Sequence, residues 1–171
     1  VILLPLSALP LYSSQMSWGQ YWQAVTDPRV LASYRVTLLS AAYSTAVVLA
    51  VGLLLAWILV RYRFPGRALL DAAVDLPFAL PTAVAGLTLS VLLAPGGWVG
   101  QFFAPLGIKI SYAFPGLVIA MIFTSLPFVV RSVQPVLADI GSEYEEAART
   151  LGASGRQVAW RVLVPALVLS L

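Results

Sequence analysis

Long apolar runs, not alternation, organise this chain. Residues 36–60, VTLLSAAYSTAVVLAVGLLLAWILV, continue for 25 positions without a formal charge, enough for a helix to cross a bilayer. Residues 72–94 form a second run, interrupted by Asp75, Pro77 and Pro81. Residues 114–130, FPGLVIAMIFTSLPFVV, form a shorter third with Pro127 near its end. Residues 1–14 are too short to span and read as the end of a cut helix; a last, partial run, 162–171, opens at Val162. A secretory leader has a similar apolar core, but no basic region precedes this one and no small-residue cleavage site follows.

Between the runs lie polar or turn-rich stretches. Residues 15–35 carry the interface aromatics Trp18, Tyr21 and Trp22 and an Asp27-Pro28 turn. Residues 61–71 turn at Pro65-Gly66, residues 95–113 are rich in Gly and Pro around Trp98 and Lys109, and residues 131–161 are polar.

Composition explains the runs. The 171 residues are 60% hydrophobic and only 10% charged, whereas soluble domains are about a quarter charged. In hydrocarbon every backbone polar group must be satisfied internally, which leaves helices or a closed barrel. Continuous runs select helices. The expected fold is all-α: a polytopic α-helical membrane protein, one transmembrane domain over residues 1–171 with about four spans plus a partial one. A start at Val1 without Met and an end inside an apolar run read as a fragment of a longer protein.

Cys and His are both absent, which excludes disulfides, thiolate chemistry, the usual zinc sites and histidine acid–base catalysis. The net charge of +3 matters less than its placement. Arg61, Arg63, Arg67, Arg131, Arg149, Arg156 and Arg161 fall in the 61–71 and 131–161 stretches; the alternate ones hold only Arg29, Arg35 and Lys109. That bias puts the first set in the cytoplasm. No GxxxxGK[ST] phosphate loop is present, so ATP would have to be handled by another chain. The expected surroundings are lipid bilayer and other proteins, with no nucleic acid.

The cytoplasmic stretch contains one well-punctuated helix. Ser142 with Glu145 fits a capping box, and Glu143, Glu145 and Glu146 suit the positive end of the helix dipole. Tyr144, Ala147, Ala148 and Leu151 fall at i, i+3, i+4 and i+7 as one apolar stripe. Gly152 stands where a C-terminal glycine ends a helix. Ser154 and Gln157 suggest a second cap, opening a helix that runs toward the bilayer and meets Pro165. Such a stripe either receives another protein or folds back on its own membrane domain.

The spacing Glu146-Ala147-Ala148, three residues, Gly152, nine residues, Val162, one residue, Val164-Pro165 resembles the EAA loop of ABC importer permeases. Valines at 162 and 164 replace the usual Ile and Leu. RYRFPGRALLDAAVDLPFALPTAVAGLTLSVL at 61–92, MSWGQYW at 16–22, SLPFVVRSVQPVL at 125–137 and EYEEAARTLGA at 143–153 are similar to the sulfate/thiosulfate permease subunits of such importers. The resemblance covers nearly the whole chain; molybdate and tungstate permeases are the nearest alternative. It implies a type I ABC importer permease fold in the bacterial inner membrane. It also implies a coupling role for Glu146, Ala147, Ala148, Gly152, Val162 and Pro165. The implied partners are a cytoplasmic ABC ATP-binding subunit, a second permease subunit and a periplasmic sulfate/thiosulfate-binding protein. ATP and Mg would sit on the ATP-binding subunit, with no cofactor on this chain and no catalytic or metal site.

Other residues have two readings each. Asp75, sharing a helix face with Asp71, is either a carboxylate at the cytoplasmic gate or in a pairing with Arg61, Arg63 or Arg67, or an acid near the interface reaching the headgroups. Pro77, Pro81 and Pro127 free backbone groups that, with Thr82, Thr88, Thr124 and Ser125, either meet a passing anion or serve packing. Gly86, near Ala79, Ala83 and Ala85, suggests close helix contact. Arg131 and Gln134 are a partner-facing basic patch or positive-inside anchors. An intramembrane protease would draw its two carboxylates from separate helices, and Asp71 and Asp75 share one. A passive channel is the remaining class, distinguished by uptake without ATP.

Overall fold

The computed structural model describes residues 16–140, 143–158, 161 and 165. Every regular element among them is helical: α1 (Trp18–Val25), α2 (Pro28–Arg61), α3 (Arg67–Val74), α4 (Leu76–Ala79), α5 (Thr82–Leu92), α6 (Gly100–Phe103), a 3-10 turn (Ala104–Leu106), α7 (Phe114–Ile140), α8 (Glu143–Thr150) and α9 (Gly155–Val158). The all-α expectation holds. The runs at 1–14 and 162–171 lie outside the described residues, Pro165 excepted.

The residues fall into two units, one ending at Ser40 and the other beginning at Ala41, with α2 running through the boundary. In the first unit, α1 occupies a stretch read from sequence only as aromatic belt and turn. It starts at a capping box: Gln20 N–H donates to Ser17 Oγ at 3.3 Å, and Ser17 N–H to Gln20 Oε1 at 2.9 Å. Two orphan donors are thus satisfied reciprocally. Trp18 and Tyr21 stack with centroids 5.8 Å apart, Trp22 lies 5.9 Å from Trp18, and all three are exposed.

Asp27 Oδ1 accepts the Arg29 N–H at 2.8 Å, and Pro28, which has no N–H to satisfy, opens α2. The helix therefore begins eight residues before the apolar run does. Its 34 residues correspond to about 51 Å of length, more than the roughly 30 Å of bilayer hydrocarbon.

The core of the second unit joins three helices. Ala56 and Leu59 of α2, Val74 of α3, and Val130, Val133 and Leu137 of α7 are buried together. The α7 members follow i, i+3, i+7, one stripe of a helix. Among the described residues, the close approach expected at Gly86 falls instead at Gly52, beside Val129 of α7, and no described neighbour lies within 4 Å of where a Gly86 Cβ would stand.

Two boundaries differ from the sequence reading. The 72–94 run is not one rod but α3, α4 and α5, broken at Asp75 and at Leu80, whose ψ is 131°. Pro81 favours that second break, since its ring disfavours the helical conformation in the residue before it. Among the described helices, α2 and α7 alone are long and apolar enough to cross a membrane singly. The polar stretch 131–161 opens inside a helix, because α7 continues to Ile140 with Pro127 and Pro135 inside it. Arg131 looks like a stop, but the buried stripe carries on through Val133 and Leu137. Packing on that stripe outweighs the two missing N–H donors.

Candidate functional site

The EAA-like segment forms α8 as expected, with a defined end. Gly152 adopts φ +84°. Its N–H donates to the Arg149 carbonyl at 2.9 Å, and the Ala153 N–H reaches back to Ala148 O at 3.0 Å. This pair of bonds is the Schellman closure, which needs a residue in the left-handed region that glycine enters without a Cβ penalty. Thr150 Oγ donates to Ala147 O at 2.7 Å, and Arg149 in the last turn faces the negative end of the helix dipole. The second cap also forms: Ser154 N–H donates to Gln157 Oε1 at 2.8 Å and Gln157 N–H to Ser154 Oγ at 3.4 Å, opening α9. Ser142 of the first cap is outside the described residues.

Among the described residues, most of the apolar stripe of α8 is exposed. Leu151 is 88% exposed and Tyr144 64%; Glu146 and Ala147 are exposed and Ala148 is half-buried. Pro165 is helical and exposed, and Val162 is outside the described residues. A short, closed helix thus presents small side chains and two large apolar ones to its surroundings.

A second feature was assembled differently by the sequence reading. Asp75 finds its partner in Arg131, not in an arginine of the 61–67 turn. Arg131 Nε and Nη2 donate to Asp75 Oδ1 and Oδ2 at 2.9 and 2.5 Å. Nη1 donates at 2.7 Å to both Asp71 Oδ1 and Gln134 Oε1, and Nη2 also reaches the Asp71 carbonyl at 3.1 Å. Five donor contacts therefore occupy the whole guanidinium, the fork geometry in which arginine binds carboxylates best. The side chains are 32% (Arg131), 44% (Asp71) and 46% (Asp75) exposed, so water still screens the cluster. Arg131 and Gln134 are neither a free basic patch nor simple anchors. The spacing held a signal: Asp71 and Asp75 at i, i+4 and Arg131 and Gln134 at i, i+3 each form one helix face, and charges in apolar helices require partners.

Of the hydroxyls weighed as anion donors, Thr124 is committed to its own helix, donating to Ala120 O and Met121 O at 3.1 and 3.2 Å. Thr82 and Thr88 are exposed on α5.

Comparison with known proteins identifies the family. The family described as binding-protein-dependent transport system inner membrane component matches residues 48–171, which include the Arg131 cluster and α8. The chain belongs to that family. As an inner membrane component it is a membrane protein, and α2 and α7 supply apolar helices long enough to span. It is similar to the sulfate transport system permease protein CysT of Salmonella typhimurium, 59% identical over 167 residues, and to that of Escherichia coli, 58% identical over 167 residues. Each match takes in 98% of this chain and 60% of the relative. The Synechocystis protein of the same name is 48% identical over 165 residues, 96% of this chain and 58% of that protein. The chain thus spans about three fifths of the length of these relatives.

Proposed function

We propose that this chain is the membrane-spanning subunit of an ATP-driven importer carrying sulfate or thiosulfate inward across the bacterial cytoplasmic membrane. The printed names of its relatives, sulfate transport system permease proteins, support the substrate class. The family description supports delivery of the anion by a separate binding protein. A second permease subunit completes the pathway, and ATP with Mg is held by a cytoplasmic ATP-binding subunit, so this chain needs no cofactor of its own.

The observation that carries the reading is the exposed stripe of the closed helix α8. Glu146, Ala147, Ala148 and Gly152 make the surface an ATPase grips, and Val162 and Pro165 join it to the following span. Alanines let another backbone approach closely, and a rigid connector turns the two states of an ATPase into a domain movement.

The test is Glu146→Lys in the full-length permease. The variant is expected in the membrane at normal level, but with the ATP-binding subunit lost from the purified complex and uptake of labelled sulfate abolished. Normal uptake with the subunit still bound would exclude the coupling role. Competition of wild-type uptake by thiosulfate and by molybdate assigns the anion.

A further inference from the structure

The Arg131 cluster lies between elements of one chain, so docking a partner does not explain it. Its acceptors on the broken helix are Asp71, in α3, and Asp75, the residue that follows α3. Both precede the break at Leu80–Pro81. A second contact falls on the same side of that break: the Phe78 ring of α4 meets Phe128 of α7 edge-on, centroids 4.9 Å apart at 87°. Residues 67–79 are thus held to α7 by charge and by ring contact. Beyond them Leu80 is extended and Pro81 brings no N–H, which makes a joint ahead of α5. At its other end α7 stops at Ile140, and α8 begins at Glu143.

Apolar helix faces in lipid slide with little penalty, because the lipid solvates them as well as a neighbouring helix does. A guanidinium fork closed on two carboxylates and a carbonyl has essentially one geometry. We propose that Arg131 is a positioning residue for transport. It makes residues 67–79 move with α7 when α8 is displaced, so that the broken helix bends at Leu80–Pro81 instead of slipping along α7. The inference rests on the reading of α8 as the helix an ATPase grips.

The test uses the full-length permease assembled with its second permease subunit and ATP-binding subunit in proteoliposomes, with the binding protein present. Arg131→Lys, Arg131→Gln and Asp75→Asn are compared with wild type for ATP-subunit retention, ATP hydrolysis and labelled sulfate uptake. A lysine ammonium is a point charge that cannot reproduce the fork. Expected are a retained subunit, continued hydrolysis, and uptake per ATP lowered about fivefold or more, as for a lost coupling between distant sites. Unchanged uptake per ATP in all three variants overturns the proposal. So does a proportional fall of uptake and hydrolysis, or loss of all three variants from the membrane, since either marks a purely structural ion pair. Wild-type vesicles that bind the ATP subunit yet take up no sulfate or thiosulfate overturn the transport reading, and this inference with it.

Discussion

Gly52 and Val129 meet where α2 packs on α7: a Cβ added at Gly52 would stand 2.8 Å from Val129 Cγ1 and 3.2 Å from its Cβ. The glycine is there for space, not for an unusual φ. Small residues let helix backbones approach in a bilayer, where dispersion contacts rather than water exclusion hold helices together. The buried cluster of Ala56, Leu59, Val130 and Val133 lies in the following turns of the same two helices.

Gly52→Leu should therefore force the helices apart and destabilise the protein by about 1–3 kcal/mol, the usual range for overpacking. Gly86→Ala, at a position with no described neighbour within 4 Å, serves as the control. Thermal unfolding of both variants in detergent measures the difference. Equal midpoints would mean that Gly52 is not a packing constraint.

Leu137→Ala removes one of the most deeply buried side chains of the α2–α3–α7 core. The transfer contribution is small when lipid is the alternative surrounding, so the loss is mainly one of packing. The expected effect is about 2 kcal/mol, the low end for buried leucines. The same unfolding assay reads it, and a shift as small as that of exposed Leu69→Ala would contradict the placement of Leu137.

At Gly152 the backbone decides which substitutions survive. Its φ of +84° strains side chains, at about 1–3 kcal/mol for ordinary residues in such regions, whereas Asn tolerates it. Gly152→Asn should keep the ATP-binding subunit bound to the purified permease, and Gly152→Val should release it without removing the permease from the membrane. Identical behaviour of the two would show that conformation is not what the glycine supplies.

Leu151 is exposed almost completely, so Leu151→Ser should leave the unfolding midpoint of the isolated permease unchanged. If the α8 stripe is the gripped surface, the same change weakens binding of the ATP subunit about tenfold, as expected for a large apolar contact worth more than 1 kcal/mol. Titration of detergent-solubilised permease with the ATP subunit gives the number. A lower midpoint with unaltered affinity would reverse the assignment.

What the chain specifies locally was legible without coordinates. Unbroken apolar runs required helices because lipid offers backbone groups no partner. Gly152 and the Ser154–Gln157 pair marked the ends of α8 and α9 because caps involve residues a few positions apart. Relations over long separations were not legible. That Arg131 takes Asp71 and Asp75, that Gly52 rather than Gly86 admits a neighbour, and that α7 runs past Arg131 to Ile140 all depend on which helix faces pack together. Several arginines satisfied the charge requirement of Asp75 equally well on paper. Only the packing of α3 against α7 brought one of them within hydrogen-bonding distance.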